Sequence, residues 1–195
     1  AEAGREIVCF SISAGMSTSG NVMRLAAEEL GASDRIKVID SANLSTGIGL
    51  LVIEAAIMAK NNRTVSQIVS EIERLKPNVR ASFVVDTLTY LYRGGRCNAV
   101  AAMAGGVLKL HPRIVVEDGA MNASKKYRGK IASVVMNYVK DMEKDLKKAR
   151  PERVFITHSG CEQETVEKVR AYLKELDIFD EILETRAGGV VSSHC

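Results

Sequence analysis

Three stretches have residue types and spacing suited to holding an anion. Ser13-Ala14-Gly15-Met16-Ser17-Thr18-Ser19-Gly20 follows a short apolar run and leads into helical periodicity. At such a place the free backbone N–H groups and the helix dipole favour a carboxylate or phosphate, and hydroxyls add donors. An ordinary N-cap loop needs the same residues, so the residues alone leave both readings open. Thr87 to Arg96 is a short amphipathic turn that ends in Gly94-Gly95-Arg96. Glycines permit backbone angles that other residues avoid, and arginine stays charged and offers a planar fork to a carboxylate or phosphate. The bland alternative is a solvated surface arginine. Gly188 to Ser193 is a small-residue stretch before His194, a side chain able to donate to a carboxylate or move a proton near neutral pH; an isolated histidine is otherwise structural.

Other chemistry is poorly supported. His158 with Cys161, and His194 with Cys195, offer nitrogen and sulfur to zinc, but neighbours in an extended segment point apart and no Cys-x-x-Cys accompanies them. No metal is therefore expected. His111 beside Pro112 reads as structural. The sequence holds no Walker loop, no Gly-x-Ser-x-Gly elbow and no His-Glu-x-x-His, so no catalytic residue is assigned.

The elements that must position these residues follow from periodicity. Ile7 to Ile12 reads as a strand, and the Ser13 to Gly20 loop opens a helix with Val22, Leu25, Ala26 and Leu30 at helical spacing. Gly31 stops that helix and Ile36 to Ile39 makes a second strand. The small polar loop Ser41 to Gly47 precedes an apolar helix from Ile48 to Lys60. Thr64 and Gln67 form a capping box for a third helix, striped by Val65, Ile68, Val69, Ile72 and Leu75. Ala81 to Val85 is the next strand, so the pattern is that of a parallel three-layer α/β/α sheet.

After Arg96 the pattern changes. Ala99 to Ala104 reads as a helix, and Asp118-Gly119 is a hairpin turn between Val107 to Val116, broken at Pro112, and Ala120 to Tyr127. Ile131, Val134, Val135, Tyr138, Met142 and Leu146 stripe one long helix. Val154 to Thr157 is a strand, Ser159 to Glu162 a capping box, Val166 to Leu176 a helix and Glu181 to Thr185 a closing strand. The fold class expected is α/β in two domains: residues 1–96, parallel and three-layered, and residues 97–195, α+β with a mostly antiparallel sheet.

The chain has 195 residues, 46% of them hydrophobic and 26% charged, ordinary globular composition that can bury a core. A formal net charge of +3 with dispersed basic residues argues against a nucleic-acid partner. Cysteines at 9, 97, 161 and 195, without a leader before them, suggest a reduced, cytoplasmic protein. Ile48 to Ala59 is shorter than the roughly 20 apolar residues needed to span a bilayer. The start at Ala1 suggests a processed product or a fragment.

Asp40-Ser41-Ala42-Asn43-Leu44-Ser45-Thr46-Gly47-Ile48-Gly49, Thr87 to Leu91 with Gly94-Gly95-Arg96, Leu110-His111-Pro112 before Asp118-Gly119, and Ser193-His194-Cys195 occur in the order seen in the DegV family. Over its whole length the chain resembles those bacterial fatty-acid-binding proteins, which present a bound acyl chain to a fatty acid kinase. The resemblance implies a long-chain fatty acid as ligand, no cofactor, and a fatty acid kinase as partner. It also allows transient contact with a membrane acyltransferase or the membrane surface. It implies that Ser17, with Ser13 second, and His194 meet the carboxylate. Gly94, Gly95 and Arg96 then serve the ligand or kinase docking. Thr18 stands where the family has a glycine. The family carries a further leading stretch with a Thr-Ser-Gln-Pro-Ser type loop and a trailing Gly-Pro-Gly type turn and strand, neither of which is in this sequence. Two other readings use the same residues: an enzyme acting on a small phosphorylated or carboxylated metabolite, with His194 as general acid or base, and an interaction domain whose loops only cap helices.

Overall fold

A computed structural model describes residues 4–95 and 110–193. The chain divides into two compact units, Ala1–Ala81 with Val116–Met121, and Ser82–Val115 with Asn122–Cys195. The boundary expected between 96 and 97 lies outside the described residues; the two compact units meet in sequence between Ala81 and Ser82.

The first unit runs β1 (Ile7–Ser11), α1 (Ser19–Glu29), β2 (Ile36–Asp40), α2 (Ser45–Lys60) and α3 (Val65–Leu75). β1 and β2 pair in parallel, with Phe10 opposite Ile39 and Ser11 opposite Asp40. Strand alternation puts Val8, Phe10 and Ile39 on one face, where they pack with Leu51 and Ala55 of α2 and Ile68 and Ile72 of α3. The other face carries Ser11, and α1 approaches it so closely that a Cβ on Gly20 would lie 2.7 Å from Ser11 Oγ. Helices therefore cover both faces, the three-layer order read from the sequence. The capping box of α3 is present: Gln67 N–H donates to Thr64 Oγ1 at 3.3 Å and Thr64 N–H to Gln67 Oε1 at 3.1 Å.

One apolar stripe is turned the other way. In α1 the buried residues are Gly20 and Ala27, whereas Val22 and Leu25 are 60% and 57% exposed and Leu30, at the C-cap, is 75% exposed. The helix meets the sheet along its smallest residues because Ser11 leaves no room for a side chain at Gly20.

β3 (Ala81–Val84), expected in the first parallel sheet, belongs instead to a three-stranded sheet of order β3-β4-β5. β4 (Leu110–Glu117) and β5 (Ala120–Arg128) flank Asp118 and Gly119, whose φ values of +51° and +75° suit a type I′ hairpin turn. β4 passes unbroken through buried Pro112, where a break was expected. α4 (Thr89–Gly94) stops at Gly95, which adopts the left-handed region at φ +65°.

The expected long helix after residue 130 is two, α5 (Ile131–Asp141) and α6 (Glu143–Leu146), parted at Met142. β6 (Arg153–His158) and β7 (Glu181–Arg186) follow with α7 (Gln163–Glu175) between them, and α8 is Gly189–Ser192. β6 and β7 are parallel, against the mostly antiparallel expectation, because a helical crossover brings the second strand back in the same direction. The capping box expected at Ser159 to Glu162 is absent: Glu162 is the N-cap of α7 and makes no side-chain cap bond. Val166, Val169 and Leu173 are the buried stripe of α7, and Val169 and Leu173 pack with Val139 of α5.

Two measurements test this packing. Ile72 is fully buried between α3 and the sheet, so Ile72→Ala should cost about 2–5 kcal/mol in urea unfolding. Asp141 accepts from Lys125 Nζ at 2.5 Å and Tyr127 OH at 2.7 Å, and those bonds, Lys125 first, hold its carboxyl below its ordinary value. Its contribution is complete above the unfolded carboxylate value of about pH 4 and is lost as pH falls through the lower folded value. Asp141→Asn should therefore be less stable than the parent at pH 7, and the gap should close in strong acid.

Candidate functional site

Two loops leave the C-terminal ends of β1 and β2, the side at which open α/β sheets take their ligands. Residues 12–18 connect β1 to α1, and residues 41–44 connect β2 to α2. Because Ser11 and Asp40 are paired, the loops start side by side. Asp40 joins them: its Oδ2 accepts from Ala14 N–H at 3.3 Å and its Oδ1 from Ala42 N–H at 2.9 Å.

The second loop is built by short polar side chains bonding their own backbone. Ser41 Oγ accepts from Asn43 N–H at 3.1 Å and Asn43 Oδ1 from Leu44 N–H at 3.0 Å. These bonds hold Ala42 and Ser45 at φ +50° and +47°, a region that costs non-glycine residues energy and persists only where the surroundings impose it. Buried Asn43 also fills the space beside α2, where a Cβ on Gly47 would lie 2.1 Å from its Oδ1.

The first loop turns about Ser13, which is 2% exposed. Its N–H donates to Asn43 O at 2.9 Å, its carbonyl accepts from Met16 and Ser17 N–H at 2.9 and 3.1 Å, and its hydroxyl donates to Gly119 O at 2.6 Å. Ser13 Oγ also accepts from Gly15 N–H at 3.2 Å. The one proton of the hydroxyl is thus engaged within the protein, to Gly119 O.

Ser17 sits differently. Half-buried, it shares a 2.7 Å hydrogen bond with Ser19 Oγ and accepts from Ser19 N–H at 3.2 Å. Two hydroxyls sharing one such bond retain one proton that can donate outward. Next to them the first turn of α1 begins, where backbone N–H groups lack intrahelical acceptors. Thr18 is its N-cap at φ −83° with no side-chain cap bond, so the position needs no glycine. The pair offers a carboxylate a hydroxyl donor beside a helix N-terminus.

Gly94 ends α4 and Gly95 caps it, while Arg96 and His194, with the helix read at Ala99 to Ala104, lie outside the described residues. His111 is buried with ring nitrogens 2.9 Å from Val85 O and 3.2 Å from Gly129 O, a structural link. His158 Nε2 lies 3.3 Å from Glu184 Oε1, and the other carboxylate oxygen, Oε2, pairs with Arg170. Arg170 first and His158 next hold the Glu184 carboxyl below its ordinary value. Burial raises the Cys161 thiol above its ordinary value. Among the described residues no cluster of three or more His, Cys, Asp and Glu could hold a metal ion, and no helix is long and apolar enough to cross a membrane.

Sequence reasoning did not assign Ser19, Asp40, Asn43 or Gly119 to this site. The signals were there for three of them: Ser17-Thr18-Ser19 repeats a hydroxyl at a helix start, and Asp40 and Asn43 stand in a loop directly after a strand, where Asx bonding is common. Gly119 carried only a turn signal.

Known proteins resemble this chain throughout. The model of the DegV family, whose members it describes as uncharacterised, matches residues 1–195. A DegV domain-containing protein of Deinococcus radiodurans is 32% identical over 190 residues, 97% of this chain and 66% of its own length. The solved structure of a fatty-acid-binding DegV family protein from Thermus thermophilus superposes with a TM-score of 0.84 at 26% identity, over 99% of this chain and 68% of that one. A stearic acid-binding protein from Eubacterium ventriosum gives 0.76 at 26% identity, over 97% and 66%. The chain spans about two thirds of the length of these relatives.

Gly47 tests the loop geometry. Gly47→Ala must displace Asn43, whose Oδ1 is 2.1 Å from the added Cβ position, so it should destabilise the protein by about 1–3 kcal/mol in chemical unfolding, although alanine favours helix elsewhere.

Proposed function

The chain belongs to the DegV family, and on that premise we propose that it binds one long-chain fatty acid and presents its carboxylate to a fatty acid kinase. The observation that carries the reading is the Ser17–Ser19 hydroxyl pair at the start of α1, at the C-terminal edge of the β1–β2 sheet, where open α/β sheets take their ligands. A carboxylate there accepts from the pair and from first-turn N–H groups. The Thermus thermophilus and Eubacterium ventriosum proteins, described as binding a fatty acid and stearic acid, support that ligand class. His194 completes the head-group contacts in this reading, and Arg96, after Gly94 and Gly95, serves the ligand charge or the kinase.

The tail supplies most of the affinity. At about 0.8 kcal/mol per buried CH₂, an acyl chain with on the order of 14 methylenes gains roughly 11 kcal/mol before the costs of binding. The polar groups supply orientation. The protein is then a carrier without catalytic residues or cofactor, acting in the cytoplasm. The kinase brings ATP and the catalytic apparatus, and the loaded carrier meets a membrane acyltransferase or the membrane surface only transiently.

Solvent extraction of the purified full-length protein followed by mass spectrometry should release one long-chain fatty acid per chain. Recovery of a polar phosphorylated or carboxylated metabolite instead, or of nothing, overturns the carrier reading. Ser17→Ala should weaken binding of the free acid by about tenfold or more, the loss of a charge-assisted hydrogen bond of about 1.5–3 kcal/mol, with little effect on the methyl ester. Arg96→Ala separates its two roles: weaker acyl binding assigns it to the ligand, and normal binding with lost phosphorylation assigns it to docking.

A further inference from the structure

The Ser17 loop is held by a contact that leaves no room for a side chain at Gly119 or at Gly15. Ser13 Oγ donates to Gly119 O at 2.6 Å. A Cβ on Gly119 would lie 2.7 Å from that hydroxyl, and a Cβ on Gly15 would lie 2.9 Å from Gly119 O. Gly119 is further fixed by the hairpin turn, where its φ is +75°. Through its carbonyl, Ser13 also holds the N–H of Ser17 at 3.1 Å. One residue therefore carries the turn on its side chain and Ser17 on its backbone.

We propose that Ser13 and the Asp118–Gly119 turn are positioning elements of the head-group site, which aim the Ser17 hydroxyl and so set the preference for a free carboxylate over an esterified one. The proposal rests on the fatty-acid reading above. Its physical basis is preorganisation: a hydroxyl held in direction before binding donates to an anion without the cost of ordering the loop. A short charge-assisted bond is sensitive to direction, whereas burial of the tail is not. Loss of the Ser13 to Gly119 bond should therefore affect the acid and leave the ester nearly unchanged.

The test is a double-mutant cycle in the full-length protein, reading the ratio of dissociation constants for the methyl ester and the free acid of one chain length. Ser13→Ala should lower that ratio at least threefold while near-ultraviolet circular dichroism stays native, and Gly119→Ala should do the same. In the Ser13→Ala/Ser17→Ala double variant the ratio should lie within twofold of that of Ser17→Ala alone, since Ser13 acts through Ser17. An unchanged ratio in folded Ser13→Ala, or fully additive losses in the double variant, overturns the proposal. Loss of the native spectrum in Ser13→Ala also overturns it, by making the role purely structural. Should the unsubstituted protein bind neither ligand, the carrier reading itself falls, a result distinct from each of these.

Discussion

The arrangement of the candidate site depends on how Ser13 spends its hydrogen-bonding groups. Its amide, carbonyl and hydroxyl are all engaged, to Asn43, to Met16 and Ser17, and to Gly119 and Gly15 respectively. A buried polar residue with every group satisfied rigidifies its surroundings, because any alternative conformation leaves donors or acceptors unpaired away from water. The loop after β1, the loop after β2 and the hairpin turn are thereby tied into one body within the first unit. Asp40 adds a second tie between the two strand-end loops. The parallel register that sets Ser11 beside Asp40 makes both ties possible, so a slip by one residue would separate them and turn every side chain of β1 to the opposite face.

Much of the fold was legible because strong periodicity and local chemistry agreed. α3 is the clearest case: its capping box and its Ile68 and Ile72 stripe are stated twice over by the sequence, once locally and once through burial. In α1 the period alone is not enough. Its apolar residues recur at helical spacing, but spacing gives only a period. Which side packs was decided by Ser11 on the neighbouring strand, which admits Gly20 and nothing larger. Sheet membership was beyond reach for a related reason. β3 follows two parallel strands in sequence yet joins β4 and β5, and β7 is parallel to β6; pairing partners are chosen by tertiary packing, which a strand's own residues do not encode.

The candidate site was less legible. A hydroxyl-rich loop between strand and helix singles out Ser13 and Ser17, but an ordinary N-cap loop uses the same residues, and only the family resemblance favoured a ligand. Their division of labour could not be read from the sequence. It depends on Gly119, more than one hundred positions from Ser13 in the sequence, and on the Asp118-Gly119 turn, which the sequence marks as a hairpin without saying what the turn touches. Asn43 carried an Asx signal, but its place beside α2 is explained only by the missing Cβ of Gly47.

Such a division suits a carrier. The tail of a long-chain acid gains free energy by leaving water, and that gain is indifferent to orientation; a lipid could slide or reverse in an apolar tunnel at little cost. A carrier that must offer the carboxylate to a second protein needs one directional contact. The contact need not be strong, since the tail already supplies affinity, but it must be aimed. Two hydroxyls on a loop free to move would form their bonds in many geometries and select none of them. Anchored by a buried serine whose hydroxyl donates to Gly119 O, the Ser17–Ser19 pair would, in the proposed carrier, have one geometry to offer, and the weaker interaction would decide which way the ligand faces.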